Sequence, residues 1–310
     1  MSSPWISGLR SIAVDVPDLA KAEDFYSSVW QLEVATRTSN SVWMRGVGGD
    51  HHLLELHAHP SSARIRRLTL RATDRAALDV IVHNAVAAHD RVVSAPAPIG
   101  DHEGGGWGIT VADRDGRVIH VVADDARSEP NAASKSRPVR LAHVVLNSRD
   151  VAKTQLFFER VLGFSLIDRT RTMAFLNCNH DHHTIAVADA DNDALNHVAF
   201  TMPDVDSVMR GGGRLRDAGH SIEWGPGRHG PGNNAFNYFI DPFGIVIEYT
   251  AEVEQVDESY RVGGPDDWTW PPGRVDQWGV SPPATARLKA AQRTVCFPPA
   301  DAEVHHEGLD

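Results

Sequence analysis

At 310 residues the chain is long enough for two medium-sized domains, and its 42% hydrophobic content can supply a proper core. A net charge of −11 with no long basic run argues against nucleic acid as a partner. No stretch approaches the roughly 18 apolar residues of a membrane span. The start, "MSSPWISGLRSIAV", lacks a signal-peptide pattern, and Cys178 and Cys296 are too few for a disulfide framework, so a reducing cytoplasm is the expected location.

From Leu9, "LRSIAVDVPDLAKAEDFYSSVWQLEVATRT" reads as an apolar strand, an amphipathic helix and a second strand. "RRLTLRATD" around Arg67 opens another strand, a helix follows, and "DRDGRVIHVV" from Asp113 reads as a turn into a strand. "ARSEPNAASKSRP" is small, polar and proline-bearing, as a linker is. The pattern then restarts. "LAHVVLNSRDVAKTQLFFERVLGFSLIDRT" aligns without a gap on the segment from Leu9, pairing Leu141 with Leu9, Asp150 with Asp18, Lys153 with Lys21 and Phe157 with Phe25. Asp150 suits a helix N-cap, and Val151, Leu156, Phe157 and Val161 carry the helical spacing. "NHVAFTMPD" around His197 matches the Arg67 segment, and "DPFGIVIEYT" from Asp241 matches the Asp113 segment.

The expected fold is α+β. It comprises duplicated domains, each of two paired β-α-β-β-β modules forming a curved, cup-like mixed sheet. The expected boundaries are a first domain over 1–127, a linker over 128–138, a second domain over 139–252 and a C-terminal extension over 253–310. The extension, with "DDWTWPPGRVDQWGVSPP", fits neither repeat and is expected to pack over a domain or a neighbouring subunit.

A duplicated chain carries its own control, because positions specialised for chemistry should differ between copies. His143 aligns with Ser11, His197 with Arg67 and Glu248 with His120. Only the second copy therefore holds two imidazoles and a carboxylate, the donor set of a facial-triad iron(II) site with open positions. Singly, His143 or His197 reads more readily as an ordinary half-buried strand histidine satisfied by a backbone carbonyl. The three at matched strand positions favour a metal. Alternation puts His143, Val145 and Asn147 on one face, and His197 with Ala199.

"DPFG" reads as a three-residue hairpin loop with a glycine bulge, which pairs Asp241 with Ile245 and, counting outward, Tyr238 with Glu248. His229 lies in the glycine-rich "GPGRHGPGN", a loop able to close over a cup. "NHDHHTIAV" at Asn179 holds three histidines. If "HHTIAV" is a strand, His182 and His183 point to opposite faces, with Ile185 and Val187 on the side of His183.

The segments "LAHVVLNSRD", "FLNCNHDHHTIAV", "LNHVAF" and "GRHGPGNNAFNYFIDPFGIVIEY", in that order, resemble the type I extradiol ring-cleavage dioxygenases of the vicinal oxygen chelate superfamily, such as the dihydroxybiphenyl and catechol 2,3-dioxygenases. The first half is similar to that family's non-catalytic domain. The resemblance implies that His143, His197 and Glu248 bind Fe(II), with Mn(II) as a possible replacement. It makes His183 the active-site acid and base, and the alternation of faces makes His180 and His182 bystanders near the rim. His229 and Tyr238 become groups contacting oxygen and substrate, and Phe175 a lining residue of the substrate pocket. The implied reaction is cleavage of a small aromatic vicinal diol beside its hydroxyls with O2 as co-substrate, in a protein that assembles as a homo-oligomer. The same scaffold also hosts metal-dependent isomerases and glyoxalases, as well as metal-free binding proteins, so fold alone does not separate them.

Overall fold

Four copies of one β-α-β-β-β unit build the chain from Ile6 to Ala251. The structure, a computed structural model, describes residues 3–131 and 136–298. Positions 132–135 of the expected linker and 299–310 of the expected extension lie outside the described residues. The first unit is β1 (Ile6–Val16), α1 (Leu19–Asp24), β2 (Glu33–Arg37), β3 (Ser41–Arg45) and β4 (Leu54–Ala58). The second is β5 (Arg64–Ala72), α2 (Ala76–Ala87), β6 (Arg91–Pro98), β7 (Trp107–Ala112) and β8 (Val118–Ala123). The third is β9 (Arg140–Ser148), α3 (Val151–Leu162), β10 (Ser165–Arg169), β11 (Met173–Asn177) and β12 (Ile185–Asp189). The fourth is β13 (Ala194–Thr201), α4 (Val205–Asp217), β14 (Trp224–Arg228), β15 (Ala235–Ile240) and β16 (Val246–Ala251).

Each half forms one mixed sheet. Strand order is β2-β3-β4-β1-β5-β8-β7-β6 in the first and β10-β11-β12-β9-β13-β16-β15-β14 in the second. The antiparallel pairs β1–β5 and β9–β13 join the two units of each half. Bulges bend strands and sharpen twist. Register shifts on both sides of His197, at Leu195/His197 and Ala199/Phe200, curve the second sheet there.

The helices start where the sequence places caps. Asp18 and Asp150 each accept the N–H three residues on, from Lys21 and Lys153, at 3.0 Å, a contact worth about 1 kcal/mol. α3 buries Val151, Phe157, Phe158, Val161 and Leu162. Leu156 is exposed instead, because the buried stripe runs through Thr154 and Phe158. The helical faces share one apolar core that includes residues of both halves. Trp30 stacks on Tyr249 with ring centroids 3.7 Å apart, and the Tyr249 hydroxyl donates to the Trp30 carbonyl at 2.8 Å.

The hairpin at Asp241 forms as its sequence predicts: Asp241 N–H donates to the Ile245 carbonyl at 2.9 Å, and Gly244 takes φ +92°. Asp241 also accepts from the Tyr26 hydroxyl of the first half at 3.0 Å. Burial pushes its carboxyl up to about 6, against four opposing hydrogen bonds. The folded group keeps its proton to higher pH than the unfolded one, so this contribution is present in acid and is lost as pH rises through about 6. Asp241→Asn keeps both acceptor bonds through Oδ1. It should raise the melting temperature at pH 8 and leave it nearly unchanged at pH 4, as thermal scans at the two pH values would show.

The C-terminal segment folds onto the second half. Helix α5 (Ala286–Ala291) buries Leu288 against Phe236, Tyr238, Ile240 and Val246. Strand β17 (Val295–Cys296) pairs with β13, so the extension joins the second sheet. Among the described residues no helix is long and apolar enough to cross a membrane.

Candidate metal centre

Two rows of paired residues cross the inner face of the second sheet. One runs Trp224–Tyr238–Glu248–Ala199–His143 through β14, β15, β16, β13 and β9. The other runs Asp168–Phe175–Ala186–Val145–His197 through β10, β11, β12, β9 and β13. Tyr238 thus lies directly opposite Glu248, as counting outward from the hairpin predicts. Ala199 separates His143 from Glu248, and its small side chain leaves space between them.

The curvature brings three ligand atoms together. His143 Nε2 and His197 Nε2 each lie 3.2 Å from Glu248 Oε2, and one ligand atom from each residue lies within 4.8 Å of the others. Cis ligands at bonds of about 2.1 Å sit about 3 Å apart, so this spacing fits one divalent ion. His197 Nδ1 is 2.8 Å from Asn196 Oδ1. That acceptor keeps a hydrogen on Nδ1, so Nε2 is the nitrogen that would face a metal once its own proton has left. Glu248 is fully buried. Burial alone would raise its carboxyl, but the charges and hydrogen bonds of His143 and His197 outweigh that and hold it below the usual carboxylate range. Burial pushes His197 down, with Glu248 opposing.

The other expected residues surround this cluster. The His183 ring lies 4.3 Å from that of His143 and 5.2 Å from that of Phe175. Burial and the neighbouring histidines His143, His182, His229 and His197 hold its imidazole well below the ordinary value, in the neutral form. His229 Nε2 is 2.9 Å from the Tyr238 hydroxyl, which is in turn 3.4 Å from His197 Nε2. Burial pushes His229 down to about 4. Burial and the Glu248 charge hold the Tyr238 phenol in its protonated form. The His229 ring stacks on Phe236 at 4.0 Å, at the end of β14, so the first part of the glycine-rich segment is a strand and not the expected loop. Phe175 packs with Val145 and Ala186 as one wall of the cup.

Two expectations change. β12 begins only at Ile185, so alternation does not carry back through Thr184. Ile185 and Val187 pack into the helix-side core, and Ala186 shares the face of His183. His182 is also no rim residue. It is fully buried, with Nε2 2.7 Å from Asp168 Oδ2 and Nδ1 3.1 Å from His183 Nδ1. His180 is exposed. One sequence signal points to the pair: Asp-His-His occurs in both halves, as Asp50–His52 and Asp181–His183. Asn234, another residue not anticipated, donates to Thr250 Oγ1 at 2.7 Å and reaches Glu248 Oε1 at 3.4 Å.

The first cup is built differently. Glu55 takes the row position of Ala186 and Arg67 that of His197. Arg67 bonds Glu55 at 2.7 Å and Glu103 at 3.0 Å, and Ser11 donates to Glu55 at 3.1 Å. The charges there satisfy one another.

Comparison with known proteins agrees with this architecture. Residues 140–249 match the Glyoxalase/Bleomycin resistance protein/Dioxygenase superfamily model, and residues 11–122 match a Glyoxalase-like domain. Metapyrocatechase 2 of Cupriavidus necator is 32% identical over 47% of this chain, which spans only 46% of that relative's length. The structure of the Mn(II)-bound glyoxalase from Novosphingobium aromaticivorans superposes with TM-score 0.84 at 34% identity, covering 97% of this chain and 96% of that one. Homoprotocatechuate 2,3-dioxygenase from Arthrobacter globiformis shares the fold, with TM-score 0.84 at 22% identity over 97% of this chain and 95% of that one. Repeated modules, curved sheets and matched models together make this chain a member of the glyoxalase, bleomycin resistance protein and dioxygenase superfamily.

Proposed function

We propose that the protein is a metal-dependent extradiol dioxygenase that opens a catechol-type ring with O2. One observation carries this reading: a buried two-histidine, one-carboxylate cluster with His183, His229 and Tyr238 placed around it. A metal alone would serve an isomerase, but ring opening also needs proton donors and acceptors beside the diol. When bound, a divalent ion here supplies adjacent positions for two substrate oxygens and O2, and a path for electrons between ring and oxygen. We assign it as Fe(II), with Mn(II) as the substitute, because the donor types suit either.

The residues divide the remaining work. Two neutral imidazoles and one carboxylate leave a divalent site at net charge about +1, which a catecholate monoanion neutralises. His183, beside the ligand His143, takes the proton of the substrate hydroxyl and later returns one. The Tyr238 phenol, kept protonated, donates to a substrate oxygen, and His229 holds the phenol in place. Phe175 supports the flat ring of the substrate as part of the cup wall.

We further take 1–127 as the non-catalytic domain, 139–252 as the catalytic one and 253–310 as an extension covering it. We place the protein in the cytoplasm. Exposed Val262, Trp270, Trp278 and Val280 in the extension support assembly into a homo-oligomer.

A second reading draws on the 34% identity to a Mn(II)-bound glyoxalase over nearly the whole chain. An oxygen electrode separates the two. With Fe(II) or Mn(II) loaded, 4-methylcatechol or 2,3-dihydroxybiphenyl should consume one O2 per diol and yield a coloured ring-opened product. Isomerisation of a hemithioacetal without O2 uptake would establish the glyoxalase-like reading instead.

A further inference from the structure

The chain Asp168–His182–His183 has a polarity that each bond imposes on the next. Asp168 is fully buried and accepts from three groups: Gly263 N–H reaches Oδ1 at 2.6 Å, while the Tyr260 hydroxyl and His182 Nε2 reach Oδ2 at 3.0 and 2.7 Å. An ionised carboxylate only accepts, so His182 Nε2 carries the hydrogen. When that is the single hydrogen of the imidazole, its Nδ1 is bare and can only accept. That atom faces His183 Nδ1 at 3.1 Å, so the hydrogen between them belongs to His183. A neutral His183 with its hydrogen on Nδ1 has a bare Nε2.

We propose that Asp168 and His182 are positioning residues that hold His183 in the Nδ1–H tautomer, with Nε2 left open to receive a substrate proton. Tyr260 and Gly263 tie the chain to the C-terminal segment, so the extension takes part in setting the state of the site. The inference rests on the ring-cleavage reading for its catalytic consequence, but the tautomer is a property of the folded chain. The local irregularity that hides the residues also builds the chain. A register shift between Leu166 and Asp168 brings Asp168 into the row of Phe175 and Ala186, and His182 precedes β12 with its N–H given to Glu254 O at 2.8 Å.

The test is imidazole nitrogen spectroscopy on the full chain, labelled with 15N-histidine and loaded with Zn(II) as a diamagnetic occupant. His183 is assigned by the signals lost in His183→Gln. Wild-type His183 should show a protonated Nδ1 and a bare Nε2. Asp168→Asn can donate an amide hydrogen to His182 Nε2, which reverses the chain and should move the His183 hydrogen to Nε2. With iron loaded, that variant should lose about 100-fold in kcat, while KM for the diol and metal content stay within about twofold. A purely structural Asp168 would not move the tautomer. The proposal is overturned if wild-type His183 carries its hydrogen on Nε2, or if Asp168→Asn keeps wild-type kcat. Should Asp168→Asn fail to fold, the wild-type spectrum alone decides. Should the wild type take up no O2 with any diol, ring cleavage fails as a reading, and the spectrum still judges the tautomer.

Discussion

Glu248→Ala is expected to leave the protein without retained metal and without ring-cleaving activity. The carboxylate is fully buried, and it sits at 3.2 Å from both ligand nitrogens. Its removal takes away one of three donor atoms and the only negative charge among them. Even partners that merely support a ligand cost 10–100-fold in affinity when lost, so deleting a ligand should weaken binding by more than about 100-fold. The fold should survive, because the helix-side core of Phe157, Phe158, Leu176 and Phe200 lies on the other face of the sheet. Elemental analysis after gel filtration and an oxygen electrode would measure both effects. A Glu248→Ala protein that keeps its metal and turns over would remove the basis of the assignment.

The second large effect belongs to His183→Ala. Metal content should stay at the wild-type level while kcat falls by about 100- to 10,000-fold, the range a general acid–base group supplies. His183 stands beside His143 at ring distance 4.3 Å without belonging to the three-atom ligand cluster. Losing it removes a proton acceptor and leaves the donor set whole. If the variant comes out metal-free, His183 is a ligand and the division of roles fails.

The sequence carried much of this site in legible form, for a physical reason. Four copies of one unit repeat the same strand and helix periods, so the places where the copies disagree stand out. His143, His197 and Glu248 are visible as departures from Ser11, Arg67 and His120. Tyr238 is legible because a three-residue hairpin loop fixes register at a distance. Asp168 and His182 were not legible. Face assignment by alternation fails at a bulge, and one lies between Leu166 and Asp168. It fails again before Ile185, where the backbone is not yet a strand. The extension read only as an outlier in composition. Its contacts reach Asp168 through Gly263 and the His229 loop through Gln277, whose amide lies 2.6 Å from the His229 carbonyl. Such long-range pairings leave no local period to detect.

The first cup bears on how the two halves respond to their surroundings. Arg67, tethered covalently, brings a cation to the buried Glu55 of the first sheet. With the divalent ion proposed for it, the second half would draw the cation for Glu248 from solution. On that proposal one half carries its counterion in its own sequence, whereas the other would draw on the ion supply of its environment for part of its stability. The repeated chain would then join a self-sufficient half to an ion-dependent one, so starvation for metal should loosen one end of the molecule while the other stays firm.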